Sequence, residues 1–139
     1  MSDPPLSKEE LQERLSHSAF IDSLQLSVLS ADPEKEQIVM RAEMRPEFER
    51  GRGTGQWHGG PIAAIIDTVG DYALVMLLGR PLPTVNFRVD YLRPAINTAL
   101  IVTATVRRNG RQVGIVDIDV ASEAGTLLAI GRATYATAS

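Results

Sequence analysis

The stretch from Pro61 to Leu78 is the most apolar in the chain, interrupted only at Asp67, Gly70 and Asp71. Gly60-Pro61 opens it, because a proline in the first helical turn loses nothing by lacking an amide proton. Gly79, with Pro81 just beyond, closes it. The spacing predicts one helix from Gly60-Pro61 to about Leu78, and the two carboxylates and the glycine mark it as a buried helix rather than a membrane span. A helix that is apolar nearly all round has to be surrounded. Since the rest of the periodic sequence reads as strands, the economical covering is an antiparallel sheet wrapped about it. The expected fold class is α+β.

The strands are read from period-two patterning. Leu24 to Ser30 and Gln37 to Arg45 form a predicted first hairpin, with Asp32-Pro33 supplying the turn. In Thr84 to Leu92, Val85, Phe87, Val89 and Tyr91 fall on one face and Asn86, Arg88 and Asp90 on the other, the alternation of a half-buried strand. Thr98 to Arg108 and Arg111 to Ser122 are joined by Asn109-Gly110, a dipeptide suited to a two-residue hairpin turn. Gly125 precedes a last strand from Thr126 to about Ala136. Ahead of all this, Ser7 and Glu10 fit a capping box, followed by Leu11 and Leu15 on one stripe. The predicted order is a short helix, two strands, one long helix and four strands, a sheet of about six. At 139 residues the chain makes one domain, 1–139. Residues 1–6 are expected to be flexible, and the polar, glycine-rich Pro46 to Gly60 is a functional loop within the domain.

Composition narrows the chemistry by exclusion. Apolar residues are 44% and charged residues 22%, which is globular usage. With no cysteine there are no disulfides, no thiolate nucleophile and no cysteine-built zinc site. A net charge of -3 leaves no general basic field for a nucleic-acid backbone. Met1 to Leu6 is polar and proline-broken, unlike a secretory signal, so a cytoplasmic protein without a membrane anchor is expected. The G-x-S-x-G elbow, the phosphate loop and the H-E-x-x-H helix are all missing. Gly51, Gly53 and Gly55 imitate a dinucleotide fingerprint, but His58 holds its third position and no strand precedes it. His17 and His58 are the only histidines and lie far apart, so no metal is expected.

What remains is His58-Gly59-Gly60 followed by Asp67. Gly59 and Gly60 lie at the start of the long helix, where free amides and the positive end of the dipole can hold a developing oxyanion. Asp67 and Asp71, four apart, would on an ordinary helix mark a solvated stripe. Here only Thr68 and Tyr72 join that stripe, so a carboxylate facing a cleft or a subunit interface explains it better. Taken out of water there, Asp67 becomes a candidate base or nucleophile.

His58-Gly59-Gly60, then Asp67 on an apolar helix, then Thr84-Val85-Asn86-Phe87 and Tyr91-Leu92-Arg93-Pro94-Ala95, resembles the hotdog-fold thioesterases of the phenylacetate-pathway (PaaI-like) branch, over about Glu47 to Tyr135. The resemblance implies a sheet wrapped round one long helix and an acyl-coenzyme A substrate, with no metal or prosthetic group and coenzyme A present only as part of the substrate or product. It implies Asp67 as base or nucleophile, the Gly59 amide as oxyanion donor beside Gly60, and Thr84 as the holder of the attacking water. His58 would orient the loop or the carbonyl, or serve only as a helix cap. The site would lie between two subunits, one giving the histidine-glycine loop and the other the aspartate. A homodimer is then the minimum, and a homotetramer built from two dimers is expected. A six-stranded sheet with open edges favours such pairing independently.

One departure stands out. Many relatives carry asparagine six residues before the histidine, where this chain has Arg52. Gln56 would supply the missing carbonyl donor, or Arg52 would bind an acidic acyl group or a phosphate. For the coenzyme phosphates the resemblance points to Arg93, Arg108 and Arg111, with Tyr91 and Asn86, against the plainer reading of the hairpin arginines, Arg107 among them, as solubilising charge. Trp57 would line the acyl pocket or anchor the loop. Two other functions fit the same residues: an enoyl-coenzyme A hydratase or dehydratase using His58 and Asp67, and a non-catalytic acyl-coenzyme A binding protein.

Overall fold

A computed structural model describes residues 3–139. The chain begins with α1, Lys8–Arg14, in which the predicted capping box is formed: the Glu10 amide donates to Ser7 Oγ at 3.1 Å and the Ser7 amide to Glu10 Oε1 at 3.0 Å. A second short helix, α2 at Ala19–Ser23, follows, capped by the Ser18 hydroxyl. Sequence periodicity does not reveal α2, because five residues are too few to repeat a 3.6-residue pattern. Its presence moves the first strand: Gln25 turns the chain at φ 49°, so β1 is Leu26–Asp32 and not a strand from Leu24. Next come β2 at Gln37–Ala42, a 3-10 turn at Pro46–Phe48, and the long helix α3 at Gly59–Leu78. Gly79 stops α3 in the left-handed region at φ 76°, its amide donating to the Val75 carbonyl at 2.8 Å. The remaining strands are β3 at Thr84–Tyr91, β4 at Leu100–Asn109, β5 at Val113–Ser122 and β6 at Leu127–Ala136. The expectation of a flexible 1–6 falls partly on Met1 and Ser2, outside the described residues. At its other end the Leu6 amide donates to the Met76 carbonyl of α3 at 2.9 Å.

The six strands form one antiparallel sheet in the order β1-β2-β4-β5-β6-β3. α3 lies across its middle, and Ile65, Ile66, Val69, Leu74 and Met76 are fully buried against inward residues such as Val102, Ala104, Val116 and Ile118. By length and composition α3 is apolar enough to cross a bilayer, yet it is the core helix of the wrapped sheet. Gly70 allows the close approach: a Cβ there would stand 2.4 Å from the Tyr135 hydroxyl and 3.0 Å from Ile118 Cδ1. The helix is not closed on every side. Ala64, Asp67 and Asp71 form a half-buried stripe along it.

Two further expectations differ from the structure. The β4–β5 turn is not Asn109-Gly110: Asn109 still pairs with Gly114, and the Gly110 amide donates to the Val113 carbonyl at 3.0 Å, so Arg111 and Gln112 form the tip. The register slips between Val106 and Arg108, and this bulge carries β4 further before it turns. Gly110 is still required, because a Cβ on it would lie 2.7 Å from the Val113 carbonyl oxygen. The second correction is β3, which is not half-buried. It is an edge strand beyond β6, with Val85 61% and Tyr91 52% exposed and Phe87 open as well. Of the apolar face, Val89 is half-buried against the core and Tyr91 reaches the start of α3, while Val85 and Phe87 stay exposed.

Candidate active site

Asp67 sits in the third turn of α3, between fully buried Ile66 and buried Thr68. Gly79 and the prolines at 81 and 83 return the chain so that β3 starts beside it. The Thr84 hydroxyl, on the first residue of β3, donates to Asp67 Oδ1 at 2.8 Å. From β6, the buried Tyr135 hydroxyl donates to the Asp67 main-chain carbonyl at 2.7 Å, fixing that turn of the helix against the sheet. Burial, reinforced by the charges of Asp67 and Asp71, pushes the Tyr135 phenol far above its ordinary range. Asp67, Asp71, Thr68, Tyr72 and Ala64 line a cavity of about 410 Å³ with Ser18, Phe20 and Ile21, so the unforeseen α2 is one of its walls. Burial, then the neighbouring Asp67 charge, pushes the Asp71 carboxyl up to about 7.

The diglycine turn stands at the other end of this face. His58 is the N-cap of α3, at φ -71° and ψ 150°, and its amide donates to the Phe48 carbonyl at 2.7 Å. Its imidazole is exposed and makes no capping hydrogen bond, so the side chain is not spent on ending the helix. Trp57 anchors the loop from below: its indole N–H donates to the Thr98 carbonyl at 2.9 Å and its ring stacks on Phe48 with centroids 5.6 Å apart. Replacing it by alanine should cost about 3–5 kcal/mol of stability, read as a lowered denaturant midpoint. An unchanged midpoint would mean that the loop is held by its backbone hydrogen bonds alone. The Tyr91 hydroxyl donates to the Gly59 carbonyl at 2.6 Å. A Cβ on Gly59 would be 3.3 Å from that ring, so the diglycine turn and β3 meet closely. The Gly59 and Gly60 amides, in the first turn of α3, have no partner within the helix.

A groove of about 780 Å³ opens here, lined among others by Gln56, His58, Gly59, Gly60, Tyr91 and Arg93. Those six were singled out from the sequence, and the fold brings them together. Arg50 also lines the groove and was not foreseen. Its placement follows from the loop's closure, which no sequence period reports: the Glu49 carboxylate accepts the Gly53 and Gly55 amides and the Arg50 amide donates to the Gln56 carbonyl at 2.8 Å. That folding sets residues 50 and 56 side by side and leaves Arg52 at the exposed tip, outside the groove lining.

The other candidates lie apart within one chain. Asn86 is exposed on β3 opposite Thr134. Arg108 is exposed at the end of β4, while Arg111 borders a separate recess with Leu78 and Thr137, at the C-terminal end of α3. A helix of 20 residues is ~30 Å long, so this recess and the diglycine groove are at opposite ends of it. Arg107 is engaged with Asp117 at 3.4 Å, and Asp117 is also held by Arg132 at 2.6 Å, which keeps its carboxyl below the usual range. Asp67 and Gly59 are themselves separated by ~12 Å along the axis, eight residues at 1.5 Å rise. Their two cavities share no lining residue.

A sheet wrapped on one central helix, carrying a carboxylate–hydroxyl pair in mid-helix and a diglycine turn at its start, defines a hotdog domain with an enzyme-like site. The family model described as "Thioesterase superfamily" matches residues 54–129. The chain is 38% identical over 95 residues to a putative esterase of Halobacterium salinarum, an alignment spanning 61% of this chain and 62% of that protein, less than two thirds of the relative's length. It is 30% identical over 112 residues to human acyl-coenzyme A thioesterase 13, covering 78% of this chain and 77% of that one. Among solved structures, a protein of the thioesterase superfamily superposes with TM-score 0.86 at 32% identity, over 93% of this chain and 96% of the other. The E. coli PaaI protein shares the fold at TM-score 0.77 and 24% identity, over 89% and 87% of the two chains. This chain belongs to the thioesterase superfamily.

Proposed function

We propose that the protein hydrolyses an acyl-coenzyme A thioester to free acid and coenzyme A, without metal or prosthetic group, in a cytoplasmic setting and at a site completed by a second copy of the chain. The observation that carries this reading is the Asp67 carboxylate bonded by the Thr84 hydroxyl in a largely apolar cavity, in a chain whose superfamily is named for thioester chemistry. The acyl-coenzyme A substrate is supported by the names of relatives such as the mouse and human acyl-coenzyme A thioesterases.

The need for two chains follows from distance. A thioester carbonyl has to meet the base and the oxyanion donor together within ~3 Å of each, and ~12 Å of rigid helix separates Asp67 from its own Gly59. A second chain applied to the exposed apolar edge of β3, at Val85 and Phe87, would bring its diglycine turn opposite Asp67 while covering surface that a lone chain leaves wet. In that arrangement the Gly59 amide, with Gly60 beside it, polarises the carbonyl, and His58 flanks it. Asp67 takes a proton from a water held by Thr84, the water oxygen bonds to the acyl carbon, the carbon–sulfur bond breaks, and the leaving thiolate takes up a proton. If Asp67 attacks directly, the same bond breaks through a mixed anhydride that water then opens. Arg50 and Arg93, which share the groove with Tyr91 and Gln56, would take the polar part of the substrate, and Arg108, Arg111, Asn86 and Arg52 would join them from a neighbouring chain. Two such dimers pairing into a tetramer belong to the same proposal.

A panel of acyl-coenzyme A thioesters assayed for free thiol tests the reaction. The expected result is thiol release with one acyl class preferred. Water addition to an enoyl thioester without thiol release would make the protein a hydratase, and tight binding without turnover across the panel would make it a binding protein.

A further inference from the structure

We propose that Asp71 is a second carboxyl of the catalytic cavity, a positioning residue whose proton keeps a second negative charge away from Asp67 and whose ionisation sets one against it. The inference rests on the reading of Asp67 as base or nucleophile. Its geometric ground is independent of that reading.

Asp67 and Asp71 are one helical turn apart on the same face of α3 and line the same cavity. Their surroundings differ. Asp67 Oδ1 accepts a hydrogen bond from the Thr84 hydroxyl. Asp71 Oδ1 is buried and has no hydrogen-bond partner among the described residues. An ionised carboxyl oxygen left without donors away from water is costly, and protonation relieves that cost.

The groups facing Asp71 offer little to offset a charge. On its own helix these are Asp67, of like sign, and the Tyr72 hydroxyl, itself pushed up by burial and by Asp71. From β6 comes the Tyr135 hydroxyl, which is committed to the Asp67 carbonyl. The Leu82 amide, in the segment leading to β3, is a donor that favours the Asp71 anion, outweighed by burial and by the Asp67 charge. From the α2 side, the Ser18 hydroxyl accepts the Ile21 amide, and Phe20 and Ile21 are apolar. The neighbouring cations are engaged elsewhere, Arg14 with the Gly79 carbonyl and Arg80 with the Thr137 carbonyl. Among the described residues neither aspartate has a salt-bridge partner.

The two carboxyls therefore differ in environment, one held by a hydroxyl donor and the other with an orphaned oxygen. The direction of the effect follows from where charge moves. When Asp71 ionises, two like charges face each other in the resting cavity. In the transition state the negative charge leaves Asp67 for the oxyanion held by the diglycine turn of the second chain, and the repulsion falls. Ionisation of Asp71 thus raises the resting state more than the transition state, and kcat should rise as pH passes through about 7. Stability moves the other way. Asp71 binds its proton more tightly folded than unfolded, where its ordinary value is 3.8. Stability therefore falls as pH climbs from about 4 to about 7 and is level above that.

The test is Asp71→Asn, an isostere without the titrating proton. In the wild type, kcat should be several-fold higher at about pH 8.5 than at about pH 6, and in the variant that ratio should drop toward one. A step of undiminished size in the variant would overturn the proposal. Difference infrared spectroscopy gives a second readout that requires no turnover. The wild type should show a neutral carboxyl band that vanishes as pH passes through about 7 and is missing from Asp71→Asn, and the wild-type melting temperature should fall between about pH 4 and about 7 by a margin that the variant lacks. If no thioester is hydrolysed, the proposed function fails. The band then still decides whether Asp71 holds the proton, and its absence from the wild type would dismiss Asp71 from this role even in an active enzyme.

Discussion

Replacing Asp67 by asparagine is expected to lower kcat by about 10³-fold or more, the scale of losing a positioned base together with its negative charge. The substitution keeps an oxygen that can accept the Thr84 hydroxyl, so the cavity retains its shape and only the basicity is lost. Its melting temperature should be no lower than the wild type's. One of two neighbouring carboxylates is removed from a largely apolar cavity, and the repulsion that helps to hold the Asp71 carboxyl up disappears with it. A steady-state assay with the best thioester, read beside a thermal melt, separates the two effects. Near-normal turnover would dismiss Asp67 from the chemistry, while a lost signal with a collapsed melt would show a structural carboxylate. Single-turnover hydrolysis in oxygen-18 water then locates the attack: label in the Asp67 side chain marks an anhydride opened at the aspartyl carbon, and label in the product acid alone marks water attacking the acyl carbon.

How much of this was readable beforehand depends on whether a feature is local. The long helix, its proline start and its glycine stop are each encoded within a few residues, and all three are found. Asp67 stood out because it broke an apolar run. Its bond to Thr84, 17 residues away, depends on the return of the chain after Gly79. Features set by tertiary closure stayed hidden. α2 is too short to show a period, and yet it walls the cavity. Arg50 enters the groove only because Glu49 folds the glycine loop back on itself, which also turns Arg52 to the outside. The turn after β4 is shifted by a bulge that no composition announces. Asp71 was read as part of a polar stripe, and its orphaned oxygen depends on what packs around it. The alternation in β3 is real but covers less than it implies, since Val89 and Tyr91 reach the core and the diglycine turn while Val85 and Phe87 stay exposed.

That uncovered face leads to the other large effect. Gly59→Val should be inactive by itself, because a Cβ at that position already stands 3.3 Å from the Tyr91 ring and a branched side chain would displace the amide that polarises the carbonyl. Asp67→Asn should be inactive for the separate reason given above. If each site takes Asp67 from one chain and the diglycine turn from the other, the two inactive proteins repair each other when their subunits exchange. Random exchange at equal concentrations makes about half of the dimers mixed. In each mixed dimer one site carries both defects and the other carries neither, so activity should recover to about a quarter of the wild-type value. If instead each chain held a complete site of its own, no mixture could contain an intact one and recovery would be nil. Phe87→Asp, placed on the open edge of β3, gives the matching control: it should leave a folded monomer in sedimentation and abolish both the activity and the ability to complement. A monomer that still turned over thioester would show that the ~12 Å between Asp67 and its own Gly59 is bridged within one chain, and the shared site would have to be abandoned.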